Sequence, residues 1–223
     1  MHPVYRVVQA RPHDLPLLPA IELAAARMLT GHAPAAVLSE TTTQFQFREA
    51  RRHGRLWVAL ADQVPVGFAH VVVREPGVAH LEELDVHPEH GRRGLGRWLV
   101  ATVCAWAAEH GYSAVTLTTF RDVPWNKPFY ERLGFEVVPP AEISPAMLSL
   151  VIEEYRRGLD PQRRVVMRRP CDDVEHASNL HMRPTTLASH RASCSPAMLA
   201  HDDAASSHAF CLPSPAPDRA AQP

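Results

Sequence analysis

The sequence predicts an α/β domain around one mixed sheet, on three observations. Two apolar segments, "RLWVALA" and "VGFAHVVVR", follow one another across a polar turn, helix and strand patterns alternate after them, and all periodicity stops near Pro170.

Taken in order, Val4 to Ala10 reads as a first strand, and Asp14 is placed to cap a helix through "LPLLPAIELAAARML". A second helix covers Thr42 to Arg52, and the two strands above are joined by the turn "DQVP". "AHLEELDV" is a strand. Gly94 to His110 forms a helix with Leu95, Leu99, Val103 and Trp106 on one face, ended by Gly111. "AVTLTTF" is a strand, Phe129 to Leu133 a short helix, "GFEVV" a strand, "SPAMLSLVIEEYRRG" a helix and "RRVVMR" the last strand. These elements define a domain over 1–170. The tail, 171–223, is rich in Ala, Ser, Pro and His and poor in β-branched and aromatic residues, so it is expected to be disordered.

A formal net charge of -1 points to neither nucleic acid nor an anionic membrane as partner. The first residues lack the pattern of a signal peptide, and the apolar run Trp98 to Ala108 is too short to cross a bilayer, so a cytoplasmic protein is expected. Cys104, Cys171, Cys194 and Cys211 form no C-x-x-C pair, hence no metal site is expected; Cys104 falls in a helical pattern and reads as a core residue.

Chemistry concentrates in "HPEHGRRGLGRWL". Gly91 and Gly96 have the glycine spacing of a P-loop, but Arg97 and Trp98 stand where lysine and a hydroxyl are needed. Gly94 and Gly96 begin a dinucleotide fingerprint whose third glycine is replaced by Leu99. What remains is a tight turn of main-chain N–H groups before a helix, which suits a phosphate or pyrophosphate without magnesium. In the preceding strand, apolar parity changes between Leu81 and Leu84. Either a one-residue bulge or a strand buried on both faces accounts for that change. Glu82, Glu83 and Asp85 lie there, upstream of the anion-binding turn, where a carboxylate attracts a cationic amine and accepts its proton.

"LEELDVHPEHGRRGLGRWL", "GYSAVTLTTF" and "PWNKPFYERLGFEVV" together resemble the GNAT superfamily of N-acetyltransferases, which use acetyl-CoA. The family signature Gln/Arg-x-x-Gly-x-Gly/Ala is met from Gly91 to Gly96 except at its first position, where Gly91 stands. The resemblance implies a mostly antiparallel mixed sheet flanked by helices, with Leu81 to Val86 and Ala114 to Phe120 splayed around pantetheine. It places the CoA pyrophosphate on the turn of Gly91, Arg92, Arg93, Gly94, Leu95, Gly96 and Arg97. It also sets the N–H of Leu84 at the thioester carbonyl, Asp85 and the main chain of Val86 beside pantetheine, and Tyr130 at the departing thiolate. Asn126 lies four residues before Tyr130, where the family often has an asparagine seven before, and is the matching cofactor contact. Glu82 is the first candidate for the base and Glu83 the second. The implied reaction is direct transfer to a primary amine of a small molecule within a ternary complex, in a family where paired subunits are frequent. A protein N-terminus or lysine as acceptor, a longer acyl group, or a non-catalytic CoA-binding module are the alternatives.

Overall fold

The computed structural model of the chain describes residues 3–171. Except for Cys171, the tail expected to be disordered lies outside the described residues, as do Cys194 and Cys211. Seven strands form one sheet: β1 (Tyr5–Gln9), β2 (Leu56–Ala61), β3 (Val64–Glu75), β4 (Val78–Val86), β5 (Ala114–Phe120), β6 (Glu136–Val137) and β7 (Arg164–Pro170). Their order is β1-β2-β3-β4-β5-β7-β6. Only β4 and β5 run parallel; every other neighbouring pair is antiparallel. The mixed, mostly antiparallel α/β architecture is thus the one expected.

Six α-helices accompany the sheet among the described residues: α1 (Leu18–Ala26), α2 (Ala35–Leu38), α3 (Gln44–Arg52), α4 (Leu95–Glu109), α5 (Lys127–Glu131) and α6 (Pro145–Arg156). α4 lies on one face, where Leu95, Leu99, Val103 and Trp106 pack with Trp57, Ala69, Val71 and Leu81. The other face of β2 and β3 is covered by α1 and α3, with Leu18, Ile21 and Phe47 against Val58 and Phe68. Burying both faces is what lets β2 read as a continuous apolar run.

Local chemistry explains the boundaries. Thr43 and Gln46 form a reciprocal capping box at the start of α3, and Ser144 caps α6. Gly111, at φ 74°, closes the end of α4. Asp62 and Gln63 both have positive φ and make a two-residue hairpin turn, so Val64 and Pro65 of "DQVP" belong to β3.

Two expectations are corrected. Asp14 caps no helix: its buried carboxylate accepts bonds from the Arg11 main-chain N–H and guanidinium. Nor is the following helix continuous. Leu15–Leu17 is a single 3-10 turn and α1 begins at Leu18, because proline within a helix lacks an N–H and its ring collides with the preceding turn.

Candidate active site

The parity change in "HLEELDV" is a bulge. His70 pairs with Glu83 and Val71 with Leu81, so Glu82 has no residue opposite it in the register of β3. Ahead of it, Ala79 and Leu81 are buried in the α4 core, and beyond it Leu84 and Val86 pack on that same face. Alternation turns Glu83 and Asp85 to the opposite face, where Glu22 of α1 meets them.

The bulge also sets the direction of the main chain. The His87 N–H donates to the Val66 carbonyl at 2.8 Å, which makes these two a hydrogen-bonded pair. Antiparallel alternation then gives Phe68–Asp85 and His70–Glu83 the same character and leaves Leu84 and Val86 in the intervening pairs. Their N–H groups therefore point away from β3. On that side β5 has departed: it pairs with β4 only from Val78 to His80, against Ala114 to Thr116. A cavity of about 330 Å³ occupies the wedge, lined among others by Leu84, Val86, Thr119, Asn126 and Tyr130.

At this wedge one oxygen each of Glu22, Glu83 and Asp85 lies within 4.8 Å of the others, close enough to share one cation. Burial, followed by the neighbouring charges of Asp85, Glu22 and Glu82, pushes the Glu83 carboxyl well above its usual range. Asp85 is likewise raised well above its range, by burial and then by Glu22. Glu22 is raised by burial, although the Thr42 N–H and hydroxyl donate to it. Tyr130 also lines the wedge, and burial together with the Asp85 and Glu83 charges holds its phenol protonated well beyond neutral pH.

Glu82 is placed differently. One terminal nitrogen of Arg74 lies 2.8 Å from both of its carboxylate oxygens. The Nε2 atom of His80 stands 3.7 Å away, on a ring that burial lowers to about 4 and that is therefore neutral at physiological pH.

Below the wedge, the turn enters α4 through Gly94 in the left-handed conformation, φ 80°. The first bond of the helix runs from the Trp98 N–H to the Gly94 carbonyl, so the N–H groups of Leu95, Gly96 and Arg97 have no helical acceptor. Gly96 lies against the Phe129 ring, where a β-carbon would make ordinary contact at 3.4 Å. Arg93 turns back onto the loop, donating to the Glu89 and Gly91 carbonyls. Arg92, at φ 58°, and Arg97 make no side-chain bond with any described residue. Asn126 sits at the mouth of α5, its carbonyl accepting from the Phe129 and Tyr130 N–H groups, which fixes Tyr130 beside it.

Residues 23–135, just over half of the chain, match the model of the Acetyltransferase (GNAT) family. The chain belongs to this family. In structure it is similar to the PaiA N-acetyltransferase of Thermoplasma acidophilum, solved with coenzyme A, at a TM-score of 0.59 and 15% identity over 75% of this chain and 99% of that one. The ribosomal-protein-S18-alanine N-acetyltransferase of Escherichia coli gives 0.52 and 18% over 75% and 94%. N-acetylglutamate synthase of Neisseria gonorrhoeae, complexed with coenzyme A and N-acetyl-glutamate, gives 0.56 and 14% over 77% of this chain and 36% of that one. At such identities the likeness is one of fold.

Within this GNAT domain, the wedge brings together Glu83, Leu84, Asp85, Val86, Asn126 and Tyr130, with Glu82 on its rim. Sequence reasoning missed Glu22 and Arg74. A lone Glu22 in "AIELAAA" carried a signal, an acid inside an apolar run, that reads equally as a partly exposed helix position. Cys104 packs against the α4 core, and burial raises its thiol to about 11. No helix among the described residues is long and apolar enough to cross a membrane.

Proposed function

We propose that this protein transfers the acetyl group of acetyl-CoA to a primary amine by direct attack in a ternary complex. The observation that carries this reading is the wedge between β4 and β5, with the Leu84 and Val86 N–H groups turned into it and three carboxylates at its edge.

The residues divide the work. The turn from Gly91 to Arg97 presents main-chain N–H groups to the pyrophosphate of CoA. Val86 N–H, with Asp85 and Asn126 beside it, holds pantetheine, and Leu84 N–H donates to the thioester oxygen as negative charge develops there. The carboxylates of Glu22, Glu83 and Asp85 draw in the substrate ammonium. Of the two base candidates, Glu83 fits better than Glu82: a raised carboxyl accepts an amine proton more readily, whereas Glu82 is bound to Arg74. The freed amine attacks the acetyl carbon, the C–S bond breaks as Tyr130 gives its hydroxyl proton to the thiolate, and the second nitrogen proton, shed as the amide forms, restores the Tyr130 hydroxyl. The Cys104 thiol, packed with the α4 core and raised to about 11 by burial, is a poor nucleophile, which favours direct attack over an acyl-cysteine route.

The test is release of free thiol from acetyl-CoA against a panel of small amines and peptide N-termini. Amine-dependent release supports transfer. Binding of acetyl-CoA without release from any amine supports the non-catalytic module instead.

A further inference from the structure

A second cavity, about 570 Å³, opens between α3, β3 and α6 on the far side of Glu82. Its walls gather cationic nitrogen. Arg55 is half-buried, and its side chain makes no hydrogen bond or ion pair with any described residue; its Nε is sealed from solvent. The position is nevertheless fixed by the main chain, since Arg55 N–H donates to Ala50 and its carbonyl accepts from Val71. Arg74 spends one terminal nitrogen on Glu82 and keeps a buried Nε without an acceptor. His70, 3% exposed, has an unpartnered Nδ1, and its ring is lowered to about 4 by burial and then by the charges of Arg55 and Arg74.

Three carboxylates also line this cavity, and none lies within ion-pair distance of Arg55. Glu82 is taken by Arg74, Glu49 stands beside Arg52 and His53, and Glu153 is on the exposed rim. An arginine half-removed from water without a counter-ion is costly, and a planar carboxylate is the group its fork of donors matches. Glu82 and Leu150 line both this cavity and the wedge, so the two cavities are neighbours across these side chains.

We propose that this cavity holds a carboxylate of the acceptor, bound by Arg55 and Arg74. This rests on the acetyl-transfer reading and names its substrate class: an amine whose far end is anionic. The amine meets Glu83 while the carboxylate lies beyond Glu82, so the two groups are separated by several bonds.

The experiment uses the full chain and two readouts. Thiol release is measured for ω-amino acids from β-alanine to 6-aminohexanoate, each against the alkylamine of equal length. In parallel, glutarate, which has no amine, is titrated calorimetrically. The expected result is that glutarate binds and at least one ω-amino acid exceeds its alkylamine tenfold in kcat/KM. Arg55→Gln is expected to raise KM for that amino acid at least tenfold and weaken glutarate, with partial recovery in Arg55→Lys. Thiol release without preference for the carboxylate overturns the proposal and leaves acetyl transfer standing. Glutarate binding without such preference assigns the anion to a free effector and overturns the acceptor assignment. Failure of glutarate to bind the folded protein overturns the site itself, whatever the transfer assay reads.

Discussion

Glu83 stands opposite His70 across β3 and β4, whereas Glu82, one residue earlier, has no residue opposite it in the register of β3. That single extra residue sends Glu83 toward Glu22 and Asp85, leaves Glu82 to Arg74, and turns the Leu84 N–H into the wedge.

Replacing Glu83 by Gln is expected to lower kcat/KM by roughly a hundredfold or more, the usual weight of a general base. The rate of the unaltered enzyme rises with pH through the raised Glu83 value, and that limb disappears in Glu83→Gln while persisting in Glu82→Gln. A pH–rate profile of both variants checks this; loss of the limb in Glu82→Gln alone returns the role to Glu82.

Tyr130→Phe removes the proton donor but keeps the ring that packs on Phe129 and Phe135. We expect kcat to fall by roughly tenfold or more, with the KM for acetyl-CoA little changed, because the bond to the thiolate forms only as the thiolate departs. Steady-state kinetics with acetyl-CoA varied separates the two parameters.

The acidic trio also predicts how stability follows pH. A carboxyl raised on folding holds its proton in the native state at pH values where the unfolded chain has lost it. Its contribution is therefore full below the ordinary value of 4.5 for Glu83 and is lost as pH rises through the raised native one. Glu83→Gln should raise the Tm at pH 8 and lose that advantage toward pH 4.5. His70 and His80, both lowered to about 4, act in the other direction: their contribution is present above 6.5 and lost as pH falls toward 4. Thermal melts across pH 4 to 9 reveal both windows, and a Tm difference for Glu83→Gln that ignores pH contradicts the first.

Gly94→Glu places an L side chain at φ 80°, at a cost of about 1–2 kcal/mol, and adds a negative charge to the turn that faces pyrophosphate. The affinity for acetyl-CoA should fall more than tenfold in a protein whose circular dichroism is unchanged.

Local pattern carried much of this structure. The α4 face of Leu95, Leu99, Val103 and Trp106 and the parity change after Leu81 were readable because helical period and strand alternation are properties of neighbouring residues, whereas the choice of a bulge over a strand buried on both faces needed the pairing with β3. What escaped depended on distant partners. Glu22 becomes part of the site only when α1 packs near β4, and Arg74 reaches Glu82 only across the β3–β4 hairpin. Asp14 fits a capping pattern, yet the Arg11 guanidinium and main chain offer its carboxylate more donors than a helix end does.

The most direct measurement is calorimetric titration of acetyl-CoA into the full chain, with ATP and NAD as competitors. The account predicts saturable binding that neither competitor displaces and that Gly94→Glu abolishes. Absence of binding to the folded protein, or displacement by ATP, contradicts the assignment of the wedge and its turn to acetyl-CoA.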